Sequence, residues 1–352
     1  MKKETFEAQN PFAGEKKPSM NRRCIGHDYQ ERQMYMITMV TEGRQKYFGE
    51  VVGRCDATAG KEEAPHIELS PLGRAVKDCW FSIPDHYPAV KLIALQMMPD
   101  HLHGILYVSK HMDCTLGDVL HGFKTGCNKC FRQLMPVEYV AAMRQQTERN
   151  TKASGQRDRE HGLLFAPNYN DKLLLHEGQL DNWLHYLDDN PRRLAIKRQH
   201  PDYFTTMHYT DIAEWHCQLV GNSFLLNIPD KVAVIVHSAY TDKEYADYKQ
   251  KWLACGERGG VLVSAAIATR EKEVMREAMN RGFRLILVRE NGFPPLYKPA
   301  GESFDACSEG RLLQVSPWEY HMQRRTISRE QCLILNRLVE TITANAIICN
   351  IF

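Results

Sequence analysis

An α/β chain in two parts is the fold class this sequence predicts, and three observations predict it. At 352 residues the chain is too long for one ordinary domain. Its first part, after an arm at residues 1–31, alternates β-branched runs with amphipathic stretches over residues 32–205. From about residue 215 to 352, nearly continuous apolar runs alternate with helical ones. Runs of that kind are strands buried on both faces, and their alternation with helices predicts a parallel sheet. With 43% hydrophobic and 25% charged residues, the chain can bury a core of normal size.

The arm is polar, with Pro11, Gly14 and Pro18 and no periodicity, and predicts a flexible segment. Residues 33–41 and 44–53 are rich in β-branched and aromatic residues and predict a strand pair. Pro71 opens a helix through Phe81, with Leu72, Val76, Cys79 and Trp80 at helical spacing. Residues 91–98 and 101–108 predict two strands around a tight Pro99–Asp100 turn. Thr115 and Asp118 form a capping-box start for a helix to about Leu134, with Lys124, Lys129 and Arg132 facing outward. Residues 141–160 are charged and poor in apolar groups, and predict a mobile basic loop. Leu180, Trp183, Leu184 and Leu187 mark an amphipathic helix stopped by Pro191. In the second part, strands are predicted at 231–238, 260–266, 283–290 and 311–318, helices at 242–257 and 270–282, and a final helix from Ser328.

Forty-five basic against 43 acidic residues leave a formal net charge of +2, so a nucleic-acid partner must be argued from where charges sit. Eleven cysteines, scattered in a long chain, are not a disulfide framework. No apolar run approaches the length of a membrane span, and residues 1–18 lack a hydrophobic signal core. A reduced, cytoplasmic protein without a membrane partner is expected.

Two residue pairs can carry chemistry. His101 and His103 stand at i and i+2 on a strand, so both imidazoles share one face while Leu102 enters the core. Such a pair supplies part of a divalent-metal shell and leaves room for a phosphate. Tyr186 and Asn190 stand one helical turn apart at the edge of the leucine stripe. A phenol can attack a phosphodiester covalently, and an amide oxygen can complete a metal shell. Alone, each pair is more often packing or chance than a site.

Their order along the chain adds specificity. Met98–Pro99–Asp100–His101–Leu102–His103, then Phe123–Lys124, then Tyr186 through Asn190–Pro191 resemble the motifs of single-tyrosine HUH transposases, in particular the REP-associated tyrosine transposases. The resemblance covers roughly residues 33–200. It implies a ferredoxin-like sandwich with both histidines on a central strand, and a Mg²⁺ or Mn²⁺ ion held by His101, His103 and Asn190. It further implies Tyr186 as the nucleophile, a 5′-phosphotyrosine intermediate, and single-stranded or hairpin DNA as substrate. A homodimer is in keeping with that family. Lys124, Lys129 and Arg132 on one helix, with Arg192, Arg193, Lys197 and Arg198 on another, flank these motifs and are expected to contact DNA phosphates.

Residues 220–345 more loosely resemble the Rossmann-like domain of the DNA-processing protein A family. The turn where that family carries glycines is Ser264–Ala265–Ala266–Ile267–Ala268 here, which makes close backbone approach to an anion harder. Arg270, Arg324 and Arg325 are candidate phosphate contacts, and a structural or partner-docking role stands equally open. Cys127 and Cys130 lack a second ligand pair at zinc spacing and are expected to pack within a helix. Besides the transposase reading, a non-catalytic DNA-binding protein that kept the fold remains open, as does a metal phosphoesterase that uses water.

Overall fold

The computed structural model describes residues 24, 26–55, 57, 63–153, 163–294, 297–321 and 327–345. The chain divides into two compact units, Met1–Ala195 and Ile196–Phe352. Both mix strands with helices, the α/β class expected. Among the described residues no helix is long and apolar enough to cross a membrane.

The first unit contains β1 (Gln33–Val40), β2 (Gly49–Val52), β3 (His66–Leu69), α1 (Pro71–Phe81), α2 (Ile83–His86), β4 (Val90–Met98) and β5 (His101–Val108). It continues with α3 (Leu116–Leu134), α4 (Val137–Ala153), β6 (Asn170–Leu173) and α5 (Gln179–Gln199), the last reaching past the unit boundary. Four strands form an antiparallel sheet in the order β4-β5-β1-β6. The two-residue period of its central strands divides the side chains cleanly. Tyr35, Ile37 and Met39 of β1 join Leu102, Leu106 and Val108 of β5 on one face. There they pack with Val76 and Trp80 of α1 and with Leu120, Phe123 and Phe131 of α3. Each such apolar side chain contributes roughly 1.5–3 kcal/mol when fully buried. Gly104 belongs to this face because a Cβ there would lie 2.2 Å from the Trp80 ring. On the opposite face, Met36 and Ile105 meet Leu180, Trp183, Leu184 and Leu187 of α5.

Several local expectations need correction. Residues 33–41 and 44–53 do not pair with each other: β1 lies between β5 and β6, while β2 pairs with β3. A local hairpin reading missed this because β1 finds its partners far along the chain. The helix containing Tyr186 does not stop at Pro191 but continues to Gln199. Proline removes one helical hydrogen bond at a cost of about 3 kcal/mol. Burial of Leu187, Asn190, Pro191, Ala195 and Ile196 on both sides offsets that cost. Residues 141–153 belong to α4 rather than to a loop, and the rest of that stretch lies outside the described residues. Of the expected arm, residues 1–23 also lie outside them, but Tyr29 and Gln30 are anchored. Their carbonyls accept from the amides of Leu116 and Met112, and the Tyr29 ring stacks on Tyr35.

The second unit contains β7 (Thr205–Ile212), β8 (Trp215–Gly221), β9 (Lys231–Ala233), α6 (Asp242–Glu257), β10 (Val261–Ser264) and α7 (Thr269–Asn280). After these come β11 (Arg284–Val288), α8 (Glu302–Ser308), β12 (Leu312–Ser316) and α9 (Arg329–Asn345). One sheet runs β7-β8-β12-β11-β10-β9. β9 to β12 are parallel, as expected, but β8 runs antiparallel to β12 and β7 antiparallel to β8. The sheet is therefore mixed rather than wholly parallel. One of the added strands begins before residue 215, where the polar sequence TTMHYTDI gives little strand signal. Leu335, Leu338, Val339 and Ile342 of α9 belong to one core cluster. Trp252 and Leu253 of α6 and Val274, Met275 and Ala278 of α7 belong to another. Asn222, fully buried, fastens the antiparallel edge: its Oδ1 accepts from Leu312 N at 2.8 Å, and its Nδ2 donates to the Tyr203 and Cys307 carbonyls.

Candidate active site

β5 carries His101 and His103 on the face that α5 covers, because Ile105 two residues on packs against Leu187. The two imidazole centroids are 4.9 Å apart. His103 Nδ1 lies 2.8 Å from Thr38 Oγ1, and His101 Nδ1 lies 2.6 Å from Asp100 Oδ1. Asp100 also meets Arg44 at 3.4 Å. Hydrogen bonding to His101 is the main cause that holds the Asp100 carboxyl below its usual range. With both Nδ1 atoms engaged, each ring has Nε2 left to offer, the arrangement by which outer partners orient metal-binding histidines. His103 is 7% exposed, and burial foremost pushes its pKa down to about 3, helped by the charges of His101, Lys172 and Arg44. It is therefore neutral in ordinary buffers, with its lone pair available.

α5 brings Tyr186 to this pair. Its ring centroid lies 5.8 Å from that of His103 at 67°, and the phenol is 38% exposed. The Arg193 guanidinium carbon lies 5.6 Å from the Tyr186 ring centroid. Asn190, one turn on, is buried, and its Nδ2 has no hydrogen-bond partner among the described residues. A buried unsatisfied amide calls for an explanation, and a ligand in the site is one. Among the described residues no group of three His, Cys, Asp or Glu side chains is placed to hold a metal. The metal donors brought together are thus two imidazoles, which leave an ion positions for water and a phosphate oxygen, while the unpaired Asn190 Nδ2 is a hydrogen-bond donor and suits an anionic ligand. A cleft of about 340 Å³ lies at the β4 edge of the sheet, with Lys77, Gln96, Asp188 and Pro191 in its lining, and none of His101, His103, Tyr186 or Asn190 lines it.

The expected DNA-facing cations are placed differently from one another. Lys124 does not face outward; it is buried, and its Nζ donates to the carbonyls of Ala166, Pro167 and Asn168. Lys129 and Arg132 are exposed, but α3 packs on the sheet face opposite the histidines. Arg192 and Arg193 both pair with Asp189. Lys197 lies over the rings of Phe204 and Phe304. Arg198 is exposed. Sequence reasoning missed Arg44 and Lys172, whose charges act on His103. Lys172 is set opposite Met36 by the β1–β6 register, and nothing in its local sequence marks it.

In the second unit, the turn after β10 already holds an anion of its own. The Glu271 carboxylate, 3% exposed, accepts from the amides of Ile267 (2.7 Å), Ala268 (3.0 Å) and Val236 (2.9 Å). Ala266 takes a left-handed conformation with φ 48°. A cavity of about 820 Å³ adjoins the turn, with Lys272, Arg289 and Tyr297 in its lining. Arg270 pairs with Asp242, while Arg324 and Arg325 lie outside the described residues.

No family model matches the chain. A protein of Haemophilus influenzae, described as uncharacterized, is 24% identical over 131 residues, or 32% of this chain and 67% of its own length. A REP-associated tyrosine transposase solved with a REP hairpin is similar at 11% identity and a TM-score of 0.27, over 47% of this chain and 70% of that one. DNA processing protein A from Helicobacter pylori is similar at 19% identity and a TM-score of 0.28, over 40% of this chain and 65% of that one. At these scores neither likeness decides the fold or the activity.

Proposed function

We propose that the first unit is a single-tyrosine DNA nuclease or transposase of the HUH type, built on a ferredoxin-like sandwich and acting on single-stranded or hairpin DNA. The observation that carries this reading is the meeting of His101 and His103 from β5 with Tyr186 from α5 on one sheet face. Residues distant in the chain converge there in the set that phosphodiester cleavage by a phenol requires. Tyr186 Oη bonds to phosphorus as the bond from phosphorus to O3′ breaks. The products are a 5′-phosphotyrosine and a free 3′-hydroxyl, which takes up the proton that the phenol gives away. Nε2 of His101 and of His103 would hold a divalent ion, with the Asn190 amide beside them. Imidazole donors favour Mn²⁺ over the more oxygen-seeking Mg²⁺. Such an ion, when bound, offsets charge developing on the phosphate oxygens. Thr38 and Asp100 fix the two rings, and Arg193, Arg44 and Lys172 supply positive charge for the DNA backbone.

The second unit is a Rossmann-like accessory unit in this reading. Glu271 occupies the amides that a phosphate would use, which favours docking or support over a grip on DNA at that turn.

The test is a labelled single-stranded or hairpin oligonucleotide with Mn²⁺. Wild-type protein should form a denaturant-resistant adduct. Tyr186→Phe should abolish it with DNA affinity nearly intact, and His101→Ala, His103→Ala or chelation should each abolish it too. Adducts that persist in Tyr186→Phe would assign the nucleophile elsewhere. Cleavage without an adduct would favour a water-using phosphoesterase, and binding alone a non-catalytic relative.

A further inference from the structure

On the sheet face away from the histidines, three thiols meet between α1 and α3. Cys79 of α1 has its Sγ 3.7 Å from that of Cys130. Cys127, one turn earlier on α3, is fully buried, and its thiol is the main influence that lowers the Cys79 pKa. A Cβ on Gly126 would lie 3.6 Å from Cys79 Sγ, so this sulfur sits close against α3. Cys79 and Cys130 are half-buried and reach solvent, whereas Cys127 does not. The motif that sequence reading set aside as a packed Cys127–Cys130 pair therefore gains a third thiol from another helix.

We propose that Cys79 and Cys130 are a peroxide-oxidisable pair that closes into a disulfide joining α1 to α3. The Cys79 thiolate attacks one oxygen of a hydroperoxide. The O–O bond breaks, the second oxygen leaves as water or alcohol, and Cys79 becomes a sulfenic acid. The Cys130 sulfur then attacks the Cys79 sulfur, and the sulfenic oxygen leaves as water. In sum, two thiols and hydrogen peroxide give one disulfide and two waters. A disulfide needs sulfurs about 2.05 Å apart, so atoms already in contact close by side-chain rotation and a small shift of one helix.

The roles follow from the surroundings. The hydrogen bond from Cys127, then that from Cys130, pulls the Cys79 pKa down to about 6 against the effect of burial. Burial, with the neighbouring Cys79, pushes Cys130 up, so it keeps its proton until Cys79 has reacted. A thiolate that reaches solvent beside a resolving thiol is the form that peroxides attack. Buried Cys217, Cys255 and Cys307 are instead pushed up to about 12, 11 and 12. Those three stay protonated and slow to react.

The experiment treats the reduced full-length protein with hydrogen peroxide at neutral pH, then blocks free thiols with a maleimide in denaturant for mass spectrometry. The expected product has lost about two hydrogens and yields a peptide crosslinked through Cys79 and Cys130. Cys79→Ser and Cys130→Ser should each lose that crosslink, and Cys127→Ser should keep it. Circular dichroism of each variant confirms that it is folded, and maleimide counting on the unoxidised variants confirms that the remaining thiols are reduced. A Cys79 that climbs to sulfinic acid beside a free Cys130 overturns the proposal. So does a crosslink through Cys127, or a chain that peroxide leaves unchanged.

Discussion

Lys124 sends its ammonium inward, 2.8 Å from the Ala166 carbonyl and 3.3 Å from those of Pro167 and Asn168. A charged donor that satisfies three acceptors in a buried place cannot be removed cheaply. Lys124→Met should lower the stability of the first unit by about 3 kcal/mol, whereas Lys129→Ala and Arg132→Ala should each change it by less than about 0.5 kcal/mol. Thermal or urea unfolding of the three variants checks this, and equal small effects would mean that the Lys124 bonds contribute little. The same scale separates the thiols. Iodoacetamide reacts with thiolate, so Cys79 alkylation should rise through about pH 6, while Cys130 should respond only at higher pH. The strand period put His101 and His103 on one face and the helix period put Tyr186 at the edge of its leucine stripe, but neither period shows that the two meet. Lys124 was not legible, because a lysine on an amphipathic helix reads as outward whenever the loop that covers it is unknown. Arg44 and Lys172 were illegible for the same reason: one approaches through Asp100, the other through the register of β6.

At the scale of the element, β5 shows how closely one strand can be constrained from both sides. Leu102, Leu106 and Val108 fill one core, His101 and His103 turn to the other face, and Gly104 leaves room for Trp80. Trp80 is fully buried and cannot swing away. Gly104→Ala should therefore destabilise the first unit by roughly 1–3 kcal/mol through overpacking, measured by thermal unfolding. An unchanged melting temperature would mean that α1 shifts freely on the sheet. The turn from β10 to α7 is constrained from within, by the Glu271 carboxylate on three amides. Glu271→Ala should leave those amides bare and lower stability by about 2–3 kcal/mol. Millimolar inorganic phosphate should then raise the melting temperature of the variant and not that of the native chain. If phosphate stabilises neither, the turn collapses without its carboxylate and is no anion site even when emptied. The missing glycines were visible in sequence, but the substitute carboxylate three residues further on was not read as one. A capping glutamate on α7 is the signal that could have disclosed it.

For the whole molecule, the nearly neutral net charge makes the location of DNA-facing cations the question, and ion pairing limits them in both units: in the first, Arg44 meets Asp100 while Arg192 and Arg193 meet Asp189. Many of the second unit's described cations are committed to carboxylates: Lys249 to Glu273 and Glu277, Arg281 to Glu257 and Glu277, Arg258 to Asp230, and Arg311 to Glu309. Each phosphate contact contributes about 0.7 to the salt slope of single-strand binding, because neutralising the phosphate releases counterions. Removing the second unit should therefore change that slope by less than about one contact's worth. Cleavage of a short, saturating oligonucleotide should survive, since every proposed catalytic residue precedes Pro191. The cut belongs after Gln199, where α5 ends. A fragment ending near residue 214 would keep β7 without its partner β8, leaving an unpaired strand edge prone to aggregate. The measurement compares affinity over a salt series for the full chain and the 1–199 fragment, with adduct formation scored on both. A slope that falls by two contacts or more would place DNA on the second unit after all. A folded fragment that binds DNA but forms no adduct would show that the second unit completes the active site, and that the division of labour drawn from the His101–His103–Tyr186 face is wrong.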